Sequence, residues 1–416
     1  MDFKQDSSPS ELDVVWPKYG LRESPYSTSP VRLVGILPIQ KVFCGRKEEV
    51  ESLKKIIYSK NSSRNFIVGD FGVGKTTFGN FIRWELAVKK GENARYLTTN
   101  AEIKVQPDWG ATEFLLSTLS AIYTSSIVFN WEGKGIKLKS TEKIKEYVSV
   151  SKQKTVQGTV WIIGGGYGET KSNPVQLSPE ILESLLQEVC QELQEKGKQI
   201  IIPYDNLENA DIETLGEFFR SIRDYLQMEG LHTLFLGPTE TISSLESFGQ
   251  VYSVFSRPII LKPLSEDSVL EILSKRCDVL KIDGGNYIKP YEDETVIKLY
   301  NKLNHNIRFT FKVLEDATLN SERRAPCQIC MGDIVAVQEK EKQEVMSSLT
   351  ETQLRIVTAL LDVPKLSQKD LSTITSIGIT NLTTPVRELT KRGLIVESGD
   401  KEDSYLKLFF DPKEIK

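Results

Sequence analysis

Apolar positions follow two rhythms along this chain. Short unbroken runs, at residues 66–68, 199–202, 232–237 and 258–261, read as strands buried on both faces. Between them, apolar residues recur every three or four positions, the spacing of one helix face. Gly45-Arg-Lys-Glu-Glu-Val opens such a helix with acids in its first turn, and Ile56 and Ile57 face inward. Phe78, Phe81, Ile82 and Leu86 mark a second helix, and residues 111–123 a third. Ser178-Pro179 supplies an N-cap and a first-turn proline for a helix that runs to about Lys196 and stops at Gly197. A further strand is expected at 94–97. Strands alternating with helices predict an α/β domain built on a parallel sheet.

The rhythm changes outside that region. Residues 1–31 have no sustained period and read as an arm that folds onto the next domain through Trp16, Tyr19 and Tyr26. Residues 126–177 read as an irregular or hairpin insertion, with strand-like stretches between Ser149 and Ile163 and a helix-breaking run from Gly164 to Gly168. From Leu264 to about residue 346 the pattern is helical, a lid separate from the sheet. Cys327-Gln-Ile-Cys330 lacks the second pair a zinc site needs, so these are expected to be core cysteines near a helix start. Beyond Leu349 come three short helices, the third starting at Thr384-Pro385 or a turn earlier, then a small hairpin. That is the order of a winged helix-turn-helix, with Arg387, Lys391 and Arg392 as candidate DNA contacts. The expected domains are 1–31, 32–262, 263–346 and 347–416.

Composition narrows the partners. The 416 residues carry a net charge of −4, so nucleic acid must be met by a local patch. Residues 349–416 hold ten Lys/Arg and ten Asp/Glu, so that patch is not a basic domain. Five irregularly spaced cysteines suit a reducing cytosol. No signal-peptide layout and no apolar run of membrane length is present, so a cytoplasmic protein with no membrane partner is expected.

The chemistry concentrates where the first strand ends. Gly69-Asp-Phe-Gly-Val-Gly-Lys-Thr-Thr77 fits the spacing G-x-x-x-x-G-K-[ST] between a strand and a helix. Backbone N–H groups at the helix start form a cradle for phosphates, and glycines at 69, 72 and 74 permit the close approach. Asp70, Phe71, Val73 and Thr77 complete the loop. Lys75 reaches the β- and γ-phosphates of ATP, and Thr76 ligates Mg²⁺. Asp205, ending a buried strand, is the second carboxylate for that ion. Asn206 stands where related ATPases carry a glutamate, and an amide cannot act as a base; Glu208 lies two residues on. Pro203 is awkward in a central strand, because it cannot donate to the ladder.

With these parts in order, the chain resembles the AAA+ ATPases, in particular the archaeal replication initiators related to the origin recognition complex. The resemblance rests on a Gly45-Arg46-Lys47-Glu48 box, the P-loop, the Asp205 strand, a helical lid and a C-terminal winged helix. It implies an AAA+ fold and ATP with Mg²⁺ as cofactors. It also implies a sensor at Thr239, an arginine finger at Arg257, a second sensor at Arg308 and a nucleotide contact at Arg46. Relatives in transposition control and antiviral defence share the core and this kind of insertion. Two readings stand. One is a slowly hydrolysing ATPase switch that couples nucleotide state to double-stranded DNA and to homo-oligomer assembly. The other is a nucleotide-stabilised scaffold whose winged helix binds a protein. A small-molecule phosphotransferase fits the P-loop but leaves the lid and winged helix unexplained.

Overall fold

The computed structural model describes residues 15–146, 178–209, 212–246, 248–320, 325–363, 365–391, 394–398 and 405–408. The expected strand-like and glycine-rich stretches between 149 and 168 lie outside the described residues, as does Arg392. The chain forms two compact units. One is Thr28–Leu280 with Asn306–Arg308; the other combines Met1–Ser27, Lys281–His305 and Phe309–Lys416.

The first unit holds six parallel strands: β1 (Ser63–Val68), β2 (Tyr96–Thr98), β3 (Ile103–Lys104), β4 (Gln199–Asp205), β5 (Leu231–Gly237) and β6 (Ile259–Ile260). Their order is β2-β4-β5-β1-β6, with β3 also pairing β4. Successive side chains on a strand point to opposite faces, and here both faces are covered. Phe66, Ile200, Ile202, Tyr204 and Phe235 pack with Phe114 of α3 (Ala111–Val128), Leu186 of α4 (Pro179–Glu195), Phe219 of α5 (Ile212–Ile222) and Leu245 of α6 (Glu240–Glu246). Ile67, Ile201, Leu234 and Leu236 pack oppositely, with Leu53 of α1 (Lys47–Tyr58) and Phe78 of α2 (Lys75–Arg83). This two-sided burial is why the strands read as unbroken apolar runs rather than alternating ones. Each fully buried large side chain contributes about 1.5–3 kcal/mol.

Two polar features sit within the sheet. Pro203 lies in the central strand β4, against the expectation for proline. Residues 199, 201 and 205 direct their backbone groups to the β2/β3 side, as the bond from Gln199 N–H to Arg95 O (2.9 Å) and the acceptance by Asp205 O from Val105 N–H (2.9 Å) show. Residue 203 shares that side by alternation. β2 ends opposite Ile201 and β3 begins opposite Tyr204, so the missing N–H falls in the break between them. His232 is fully buried. Its Nδ1 lies 2.8 Å from Ser63 Oγ and its Nε2 3.3 Å from Gln199 Oε1. Burial, then the charges of Arg95 and Arg64, pushes its pKa down to about 3, so the ring is neutral.

The helix expected to open the lid, α7 (Glu266–Leu280), lies in the same compact unit as the sheet. The expected strand at 94–97 is shifted to Tyr96–Thr98, and the helix expected over 111–123 runs on to Val128.

The second unit contains α8 (Asp293–Lys302), most of α9 (Ile307–Asn320) and α10 (Met331–Ser347). Its aromatic centre is supplied from far apart in the sequence. Tyr26, fully buried, meets Tyr291 and Phe311 at ring separations of 6.3 and 6.5 Å, and Trp16 packs on Tyr26 at 5.7 Å. Tyr19 Oη donates to Cys327 O at 3.0 Å, and Leu21 bridges Lys281. Trp16, Tyr19, Leu21 and Tyr26 of the arm therefore pack on residues of this second unit, while Val31 at the arm's end bonds to α2 of the first. Cys327 and Cys330 are half-buried rather than core residues, and Cys330 does sit at the start of α10.

The winged helix comprises α11 (Glu351–Asp362), α12 (Gln368–Thr375), α13 (Ile379–Lys391) and the antiparallel pair β7 (Ile395–Ser398) and β8 (Tyr405–Leu408). Ile356, Leu360, Leu371, Leu382, Val386 and Leu389 form its core. α13 starts at Ile379, so Pro385 lies inside the helix and not at its first position. Burial of Leu382 before the proline, continuing at Val386 and Leu389, outweighs the N–H that Pro385 lacks.

Candidate functional site

β1 delivers the chain to the phosphate loop, and α2 takes it away. Gly74 has φ 97° at the N-cap of α2, a left-handed conformation that suits glycine. The Lys75 ammonium donates to Gly69 O at 2.8 Å and Asp70 O at 3.0 Å, folded over the loop it follows. Burial lowers its pKa, opposed by the charges of Glu208, Asp205 and Asp70, while Arg308 adds to the lowering. Thr76 Oγ1 donates to Asp205 Oδ2 at 2.8 Å, so the expected pair meets directly.

Other loop residues take different directions. Thr77 Oγ1 accepts from Val31 N–H at 3.3 Å, so it secures the segment before Ile39. Phe71 is 54% exposed at the loop apex. Arg46 donates to Val73 O at 3.1 Å and also to Lys262 O, placing its guanidinium against the loop backbone. Asn306 Nδ2 donates to Phe71 O at 2.9 Å, and the Arg308 guanidinium lies 4.6 Å from the Phe71 ring centroid. At Gly72 (φ 79°) an added Cβ would collide with the Asn306 side chain, so both geometry and space require glycine there.

Beyond Asp205 the backbone turns sharply. Asn206 has φ 72°, and its N–H donates to Asp205 Oδ1 at 2.9 Å. Glu208 is exposed on the short turn Leu207–Asn209. Burial raises the Asp205 pKa. The Thr76 hydroxyl and the Asn206 N–H oppose this, while Glu208 and Glu102 add to it. A half-buried carboxylate accepting from a threonine hydroxyl is a hard-oxygen site. Thr76 and Asp205 therefore fit Mg²⁺, which takes few protein ligands and completes its shell with phosphate and water. Among the described residues no cluster of three or more His, Cys, Asp or Glu forms a separate metal cage.

Thr239 is half-buried two residues past the end of β5, whose last residue Gly237 pairs with Val68. Arg257 is exposed. The β6 register sets it level with Asn65, about 13 Å along β1 from Gly69 at 3.3 Å per residue. Arg387 is exposed on α13, and Lys391 ends that helix. Four neighbours were not anticipated from the sequence: Asn306, Asn80, Arg83 and Glu102. The only local signal was polar residues on the otherwise apolar α2.

The sequence profile of the KAP family P-loop domain matches residues 46–264, more than half of the chain. This chain belongs to the KAP family. The matched segment contains every strand of the sheet, the phosphate loop and Asp205. A winged helix-turn-helix DNA-binding profile matches residues 349–396 of this KAP protein. An uncharacterized HTH-type transcriptional regulator of Methanocaldococcus jannaschii is 23% identical over 303 residues, 72% of this chain and 67% of the relative. The Aeropyrum pernix ORC1 protein, solved in complex with DNA, has the same fold at 11% identity and a TM-score of 0.51, covering 94% of this chain and 95% of its own. The Aeropyrum pernix ORC2 protein aligns at 16% identity and TM-score 0.49, covering 94% and 95%. Among the described residues of the KAP protein, no helix is long and apolar enough to cross a membrane.

Proposed function

We propose that this KAP protein is an ATP-binding, slowly hydrolysing switch whose nucleotide state governs how its winged helix engages double-stranded DNA. The observation that carries this is the direct Thr76–Asp205 bond beside Lys75, the arrangement a Mg²⁺–nucleotide needs. Residues 69–74 and the α2 N-terminus bind the phosphates. Lys75 holds the β- and γ-phosphates, and Thr76 with Asp205 holds the ion, which neutralises developing charge when bound. Arg308 leaves the Phe71 ring for the γ-phosphate. Arg257, distant from its own loop, serves a neighbouring copy in a homo-oligomer, and Thr239 completes the polar lining. Slow turnover follows from Asn206. The DNA reading is supported by the winged-helix profile, by the relative named as a transcriptional regulator and by the ORC1 protein solved with DNA. On the winged helix Arg387, Lys391 and Arg392 contact the duplex, with the protein acting in the cytoplasm.

The deciding experiment measures ATP turnover with and without duplex DNA, beside Lys75→Ala. Turnover that changes with DNA and vanishes in the variant supports the switch; duplex affinity then falls with rising salt. The second reading is a scaffold that binds a protein partner. It is favoured by the balanced charge of residues 349–416 and by exposed Ile374 and Ile379 on the winged helix. ATP binding without turnover, indifferent to DNA, decides for it.

A further inference from the structure

A phosphate loop binds through backbone N–H groups, so its affinity depends on which way each peptide plane faces. In a planar trans peptide the C=O of one residue and the N–H of the next point in opposite directions. Holding a carbonyl therefore aims the N–H that follows it. Two carbonyls of this loop are held by side chains from elsewhere in the chain. Asn306 Nδ2 donates to Phe71 O at 2.9 Å, and Arg46 Nη2 donates to Val73 O at 3.1 Å.

Both held carbonyls precede a glycine with positive φ, Gly72 at 79° and Gly74 at 97°. Glycine has the freest backbone of any residue, so these two peptide planes are the ones that most need an outside restraint. The N–H between them, that of Val73, turns back within the loop to Asp70 O at 3.4 Å. The Lys75 ammonium takes the carbonyls of Gly69 and Asp70. With the carbonyls of residues 69, 70, 71 and 73 all engaged, the N–H groups of Gly72 and Gly74 have set directions, opposite to Asn306 and Arg46 respectively.

Asn306 makes its contact across 235 residues of sequence. It stands at the N-cap position of α9, where an asparagine side-chain oxygen can accept from helix N–H groups. The bond to Phe71 O uses the side-chain nitrogen, so it is separate from a capping role. The same amide lies where a Gly72 Cβ would be, so it covers the Cα of that glycine as well as the carbonyl before it.

We propose that Asn306 is a positioning residue for nucleotide binding: by holding Phe71 O it aims the Gly72 N–H at the β- and γ-phosphates. Arg46 does the same for Gly74 through Val73 O. Asn306 touches no part of the nucleotide and acts through the loop backbone alone.

The inference rests on the nucleotide-binding part of the reading above, not on turnover. Asn306→Ala removes the donor and any cap together. Asn306→Ser keeps a capping oxygen but is too short to reach Phe71 O. Three quantities are measured for wild type and both variants: ATP and ADP dissociation constants, melting temperature without nucleotide, and hydrogen exchange of peptides covering 66–77 and 309–320. Both variants should bind ATP and ADP about tenfold more weakly. Exchange should quicken in 66–77 alone, and N306S should keep the wild-type melting temperature. Wild-type affinity in both variants overturns the assignment while leaving the nucleotide reading intact. So does weakened affinity with unchanged exchange in 66–77, which makes Asn306 a direct nucleotide contact. Faster exchange throughout 309–320 in N306S overturns it as well, because it marks a role in folding α9. A wild type that binds neither nucleotide overturns both readings.

Discussion

His232 is neutral in the fold with a pKa near 3, against 6.5 when the chain is free. The unfolded chain therefore takes up a proton first as pH falls. The stability this residue contributes is complete above pH 6.5 and is lost between there and about 3. The slope is up to about 1.4 kcal/mol per pH unit. Between pH 7 and pH 5 this one ring should cost about 2 kcal/mol, read as a shift of the urea midpoint. His232→Gln should flatten that slope, and an unchanged slope would remove the assignment. At this scale the sequence was legible where the site is contiguous. Gly69 to Thr77 are neighbours along the chain, so spacing alone announced them. Glu102 meets Arg83 only through strand order, and Asn306 reaches the loop only through chain return, neither of which local spacing encodes.

Strand β4 shows how an element can carry a residue its own pattern disfavours. Pro203 was rightly flagged as unable to donate, but the break between β2 and β3 is a property of other segments. Replacing it should restore a donor with no ladder partner. Pro203→Ala is therefore expected to destabilise by about 0.4–1 kcal/mol, through the greater freedom of the unfolded chain. A stabilised variant in thermal melting would mean that the proline had displaced a ladder bond. α13 gives the converse lesson. Thr384-Pro385 resembled a helix start, while the burial of Leu382, Val386 and Leu389 at helical spacing was already in the sequence and pointed to an earlier one. The expected helix from Ser178 to Lys196 agrees closely with Pro179–Glu195, because its start and stop signals are both local.

Across the whole molecule, each unit carries its own chemistry. The phosphate loop, Asp205, Glu102, Asn306 and Arg308 all belong to one, and the winged helix belongs to the other. Tyr26→Ala should cost the second unit about 3–5 kcal/mol, because it empties a fully buried aromatic site. ATP affinity should be retained, since every phosphate-contacting candidate lies in the first unit; calorimetry of the variant with added nucleotide checks both points. The packing of the arm also has a consequence for synthesis. Tyr26 donates its hydroxyl hydrogen bond to Pro290 O, 264 residues later in the chain. At about 5–20 residues per second, a ribosome makes the arm roughly 15–50 s before its partner emerges. During that wait Trp16, Tyr19 and Tyr26 are without their later partners, and a nascent-chain chaperone would find its binding segment there.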